Sequence, residues 1–345
     1  APGASLNLSA SALRLDAGQA IGTGTDPLTL SVSELSALAN TGGIFLSESD
    51  DITVSSVEVT TDKVGADATT TPIADSALSD LQSGSNGSIV LSASGSITLD
   101  DGDSDGSVVA ADGSGNILLD AAGALALNAD VSSGSGNITL IGTSGVSLAS
   151  SVTAQTAGTG TIDVSSLEGG LTMATDSSIT ALDGDVVVET TEDVILGDIT
   201  TSSRVNITSQ LGSVSSASLG NNTLVGGSIS FDSETGIGRT GAGKLRLDTA
   251  LLNFTNASGS VYLESISETT LTESIINGSG DLYFTQSLGA LNITELVRVI
   301  NGRTIINIAE TLNIDSEIWA TRDLRISADT LTVTNASISS FYGDV

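Results

Sequence analysis

The chain has no cysteine and no histidine among its 345 residues. Without them, disulfides, Cys/His zinc sites, thiol nucleophiles and imidazole general bases are excluded. Cations are scarce as well, with ten Lys and Arg against 41 Asp and Glu and a net charge of −31. That surface repels nucleic acid and anionic membranes, and it suits an extracellular protein or one that binds cations. It also keeps a long exposed sheet from pairing edge to edge. Aromatic residues make up only 3% of the chain. A globular core of this size leans on Phe, Trp and Tyr, whereas a narrow coil has room only for Ile, Leu, Val and Ala stacked along its axis. No run of eighteen apolar residues occurs, so no membrane-inserting helix is expected. The opening A-P-G-A-S carries no signal-peptide pattern, as expected of a processed chain or a segment of a longer polypeptide.

What is present is glycine, 39 residues of it, and repetition. G-N-I-T-L at Gly136, G-T-I-D-V at Gly160, G-D-V-V-V at Gly184 and R-V-N-I at Arg204 follow one another at about 20 to 24 residues, a spacing that marks a repeat architecture. Within each phrase apolar residues alternate with polar ones, as Ile138 and Leu140 do around Thr139. This is the two-residue period of a strand with one buried and one wet face. Gly, Asn, Asp and Ser punctuate every phrase and supply tight corners. Three short strands per unit, stacked turn on turn, give an all-β parallel β-helix, or solenoid. A propeller blade needs four strands in about 40 to 45 residues, and a sandwich does not demand equal spacing. The period predicts roughly fourteen to sixteen turns and a length of about 70 Å at 4.8 Å per turn. It also predicts one buried ladder of Ile138, Ile162, Val186, Val205 and Ile229.

The expected organisation is a single continuous segment over residues 1–345. Residues 62–85 break the rhythm and read as a protruding loop, with a short helical turn around Ser76 to Gln82. Residues 100–112 read as an Asp-rich corner insertion. A longer repeat is visible too. I-G-T-G-T-D-P-L-T-L from Ile21, followed by G-G-I-F-L from Gly42, recurs 216 residues later as I-G-R-T-G-A-G-K-L-R-L from Ile237, followed by G-S-V-Y-L from Gly259.

These phrases, together with G-N-I-L-L at Gly115 and G-A-L-A-L at Gly123, resemble the filamentous-haemagglutinin-like repeats of very large bacterial secreted and surface proteins. The resemblance covers nearly the whole chain. It implies a right-handed parallel β-helix that serves as a rod or adhesin outside the cell. Its implied partners are neighbouring β-helix segments of the same protein or filament, and glycans or proteins of a host or neighbouring cell surface. The family's secretion domain carries an N-P-N-G-type signature, and no Asn-Pro pair occurs here.

Four functional readings follow. The acidic stretch D-G-D-S-D-G-S-V-V-A-A-D places Asp101, Asp103, Asp105 and Asp112 at positions one, three, five and twelve of a calcium loop. Gly106 permits the sharp turn and the Ser107 carbonyl supplies a further ligand, so Ca²⁺ is the expected cofactor. A polysaccharide-acting enzyme on a β-helix needs carboxylates and a basic residue in a groove, and the best set is Asp185, Glu189, Glu192 and Asp193 with Arg204. Outward acids are the background of so acidic a chain, and no catalysis is expected. Thr330, Thr332 and Thr334 lie on one strand as an ice-binding ladder requires, but the adjacent turns offer Asn313 and Arg325, so β-propensity on a wet face accounts for them. Tyr262 and Tyr283 occupy matching outward positions one turn apart, as a stabilising stacked pair does.

Overall fold

The structure, a computed structural model, describes residues 6–220 and 222–344. It is all-β, and the one helical element among the described residues is the 3₁₀ turn Gly241–Gly243. The chain divides into two compact units, Ala1–Ala157 and Gly158–Val345. Each is a parallel β-solenoid, and about fifteen turns are present, as the spacing predicts.

In the first unit the strands Ile44–Glu48, Ile89–Ala93, Ile117–Ala121 and Ile138–Gly142 stack in parallel, with Ile44, Ile89, Ile117 and Ile138 in direct register. A second stack aligns Ile52, Ile97, Leu125 and Val146, and a third aligns Leu81, Val109, Val131 and Ala154. In the second unit Ile162, Val186, Val205 and Ile229 form the predicted ladder, which continues through Leu252 and Leu271. Ile138, the first residue of that predicted ladder, lies in the first unit, opposite Ile117. All of these inward residues are buried, and an aliphatic side chain moved out of water contributes about 2 kcal/mol.

The corners show why Ser and Thr recur at strand ends. A corner turns carbonyls toward the interior, where they need donors. Ser133 Oγ donates to Gly115 O at 2.7 Å, Thr156 Oγ1 to Gly136 O at 2.7 Å and Thr201 Oγ1 to Gly184 O at 2.6 Å. Each hydroxyl thus reaches back to the preceding turn.

The expected loop at 62–85 is corrected. Val57–Val64 and Thr70–Leu78 form an antiparallel hairpin with Thr61 opposite Ile73. Its tip closes where Gly65 N donates to Thr69 O at 2.8 Å. The β-branched residues V-E-V-T-T and T-T-P-I favour pairing with each other over the local helical turn expected around Ser76 to Gln82. Leu81–Ser83 is already a solenoid strand, with Leu81 fully buried. Arg14 Nε donates to Ser76 O at 3.2 Å and ties the hairpin to the strand Leu8–Ala17.

Candidate functional site

The acidic insertion is a loop organised by its own carboxylates. Asp101 Oδ1 accepts the amides of Ser104 at 2.6 Å and Asp103 at 3.2 Å, and its Oδ2 accepts that of Gly106 at 2.9 Å. Desolvation pushes its carboxyl up, but the amides of Gly106, Ser104, Asp103 and Asp105 together outweigh this and hold it below the ordinary range. Asp103 Oδ1 takes the amide of Asp105 at 3.2 Å, and Asp105 Oδ1 that of Ser107 at 2.7 Å. The loop lies close against Ser56 and Ser79, since a Cβ on Gly102 would meet Ser79 Oγ at 2.6 Å. Only glycine fits there.

Among the described residues one group of carboxylates is close enough to share a cation. It consists of Asp80, Asp103 and Asp105, one oxygen from each lying within 4.8 Å of the others. Asp103 and Asp105 are two of the five residues expected from the sequence. Asp101 instead holds the loop's amides, and Ser107 opens the strand Ser107–Ala111. Asp112 stands outside the group, at the far end of that strand, with its amide on Ser83 O at 2.9 Å. An EF-hand places its twelfth residue back over the ion because a helix follows. Here a strand follows and carries Asp112 away.

Asp80 has no counterpart in the sequence motif. It sits between the hairpin and the strand Leu81–Ser83 with a φ of 71°, fully buried. Ser79 Oγ donates to it at 2.8 Å and Gln82 Nε2 at 3.3 Å. Burial raises its pKa to about 6, the two donors oppose that rise, and the charges of Asp103 and Asp105 add to it. The signal that finds Asp80 is register: Leu81 lies opposite Val109, so the preceding residue falls beside the insertion that leads into Val109. Three carboxylates so placed are hard oxygen donors that favour a divalent cation such as Ca²⁺.

Of the set expected for an enzyme, Asp185 and Arg204 are brought together. Asp185 is engaged by Arg204, whose Nη2 lies 2.6 Å and Nε 3.1 Å from Asp185 Oδ2. The Arg204 hydrogen bond, helped by the hydroxyl of Ser203, lowers the Asp185 pKa to about 2. A carboxyl held ionised in that way is no general acid near neutral pH. Asp193 caps the next corner by accepting Ser213 N at 2.7 Å and Ser213 Oγ at 2.9 Å. Glu189 faces Asp163 across the sheet region, where burial first and the Glu189 charge second raise the Asp163 pKa.

The two tyrosines do stack, with ring centroids 4.8 Å apart and planes 9° from parallel. Thr332 lies opposite Asn313, whereas Arg325 sits in another row, opposite Ile305. No known protein family, curated protein or solved structure matches the chain.

Proposed function

We propose that this chain is a structural and adhesive rod segment of a large repetitive bacterial surface or secreted protein, coiled right-handed with three strands per turn. The observation that carries the reading is the stacking itself. In each unit inward ladders run turn after turn while the outward rows stay mostly polar, which is how a solenoid extends without needing a new core. Pairing of each strand with the one three places further along, as Ile89–Ala93 pairs with Ile117–Ala121, supports the three-strand turn. The net charge of −31 supports an extracellular surface that neither binds nucleic acid nor inserts in anionic membrane. Its partners in this reading are neighbouring segments of the same filament and surface glycans or proteins. Small-angle scattering tests the rod: a cross-section regime typical of an elongated particle is expected, and a compact globular profile overturns it. Polysaccharides incubated with the purified chain are expected to stay intact. Cleavage that disappears in Arg204→Ala would restore the enzyme.

Calcium belongs to the same proposal, now on Asp80, Asp103 and Asp105, with Asp101 shaping the loop. A divalent ion there would join the hairpin exit to the insertion and offset the mutual repulsion of three carboxylates. Titration calorimetry with Ca²⁺ should give saturable heat for the wild type and much less for Asp103→Ala. Equal heat in both, or none, removes the site.

A further inference from the structure

One outward row of the second unit changes character along its length. It runs Ser165, Glu189, Thr208, Asp232 and Thr255, each opposite the next on successive parallel strands. It then becomes Ile275, Arg298 and Trp319 before returning to Ser339. Trp319 is the chain's single tryptophan. It alternates outward between buried Ile318 and Ala320, so no core packing requires it. Leu296, Ile300 and Glu317 flank it, and together with Arg298 and Trp319 they line an open cleft of about 320 Å³. That volume lies at the small end of ligand clefts, about 300–1,000 Å³.

We propose that this cleft binds a neutral saccharide chain. The indole and the neighbouring aliphatic side chains offer an apolar platform for the C–H face of a sugar ring, as amphipathic aromatics do at wet recognition sites. The Arg298 guanidinium is under-paired. Among the described residues its one hydrogen bond is a long one, from Nη2 to Asn277 Oδ1 at 3.4 Å. Sugar hydroxyls in the cleft supply further acceptors for its Nη groups, and the exposed Glu317 carboxylate accepts hydrogen bonds from them in return.

The surroundings select neutral over acidic sugars. Glu317 places a carboxylate in the cleft lining, and nearby in sequence Glu295 accepts Glu273 N at Oε2 at 3.1 Å. A uronate or sulfated chain would meet Glu317 with like charge, on a protein of net charge −31. A protein partner is disfavoured because a stable interface needs about 800 Å² from each side, whereas this apolar stretch is a few side chains wide and ends at Ser339.

The proposal rests on the adhesive half of the function above and gives it a ligand class. Because Trp319 is the only indole, its emission reports the cleft directly. Cellohexaose, maltohexaose and mannohexaose are titrated into the wild type, Trp319→Ala and Arg298→Gln, with polygalacturonate as the acidic control and calorimetry as the readout for the variant without the indole. A saturable emission change with a neutral oligosaccharide is expected, weakened at least tenfold by Arg298→Gln and lost in Trp319→Ala, with melting temperatures close to wild type. No saturable response to any neutral sugar, undiminished binding by both variants, or tighter binding of polygalacturonate overturns it. Scattering judges the rod separately, so a rod that ignores sugars refutes the cleft alone.

Discussion

The two copies of the long repeat, Ile21–Leu46 and Ile237–Leu263, build the same corner from different loops. Gly22 and Gly238 both adopt positive φ, 67° and 70°, and at each a Cβ would run into the carbonyl oxygen of the next turn's outward aromatic, Phe45 or Tyr262. Ile21 bridges to Ile44 as Ile237 does to Val261, and Leu28 lies opposite Leu46 as Leu245 does opposite Leu263. Between these fixed points one copy closes with Thr23 paired to Asp26 and the other with the 3₁₀ turn Gly241–Gly243. The inward residues and one glycine define the corner, and the connecting loop is free to vary.

Further along, the copies part in a way that concerns function. Leu271 and Ser274 of the second copy are separated by Thr272 and Glu273, where the strand carries only a register shift. The corresponding residues of the first, Val54 and Leu81, are separated by the whole hairpin and Asp80. The outward row beyond is Gln82, Ala110, Ser132 and Gln155 in the first copy. In the second it is Ile275, Arg298, Trp319 and Ser339. One scaffold position thus carries an acidic corner in one copy and an apolar cleft with an arginine in the other.

The largest expected effect tests whether the corners are equivalent. Gly22→Ala and Gly238→Ala should each cost at least about 3 kcal/mol, from backbone strain plus a clash with a carbonyl. Chemical denaturation of both variants checks this, and tolerance at one site alone breaks the comparison.

Next comes Asp80, which only the first copy has. Its folded pKa, about 6, exceeds the ordinary 3.8. The folded form therefore holds the proton more tightly, and this residue's contribution is most favourable below pH 4 and fades as pH rises through 6. Asp80→Asn should flatten that profile and raise stability at pH 8 by up to about 2–3 kcal/mol without calcium. Thermal melts across pH read it directly, and an unchanged profile would remove Asp80 from the corner's electrostatics.

Tyr283→Ala should lose about 1 kcal/mol of stacking in addition to its buried area, whereas Phe45 in the first copy has no aromatic partner among the described residues to lose. A double mutant with Tyr262→Ala isolates the coupling. Asp185→Asn should change least, at most about 1 kcal/mol, because its partner Arg204 is well exposed. With its folded pKa near 2, that contribution is present above pH 4 and lost as pH falls toward 2.

The parts legible in the sequence are those fixed by local alternation. Ile162, Val186 and Val205 advertise their ladder because each strand carries its own two-residue period, and parallel stacking needs nothing more. The hairpin was harder to read because A-L-S-D-L-Q also has helical spacing, and only pairing with Val57–Val64 decides the matter. Asp103 and Asp105 lie in a recognisable motif, but Asp80 joins them through a contact across the chain that no local pattern encodes. Trp319 hid in plain alternation: I-W-A reads as any other strand until its neighbours Ile275 and Arg298 are aligned in register.

The corner hydroxyls that reach back to the previous turn carry a consequence for how such a chain changes length over generations. Thr156 needs Gly136, and Thr201 needs Gly184, one turn behind. Duplication or loss of a whole turn leaves every clasp with a carbonyl to grip. A partial insertion breaks at least one, unless, like the hairpin, it leaves and re-enters at the same rung.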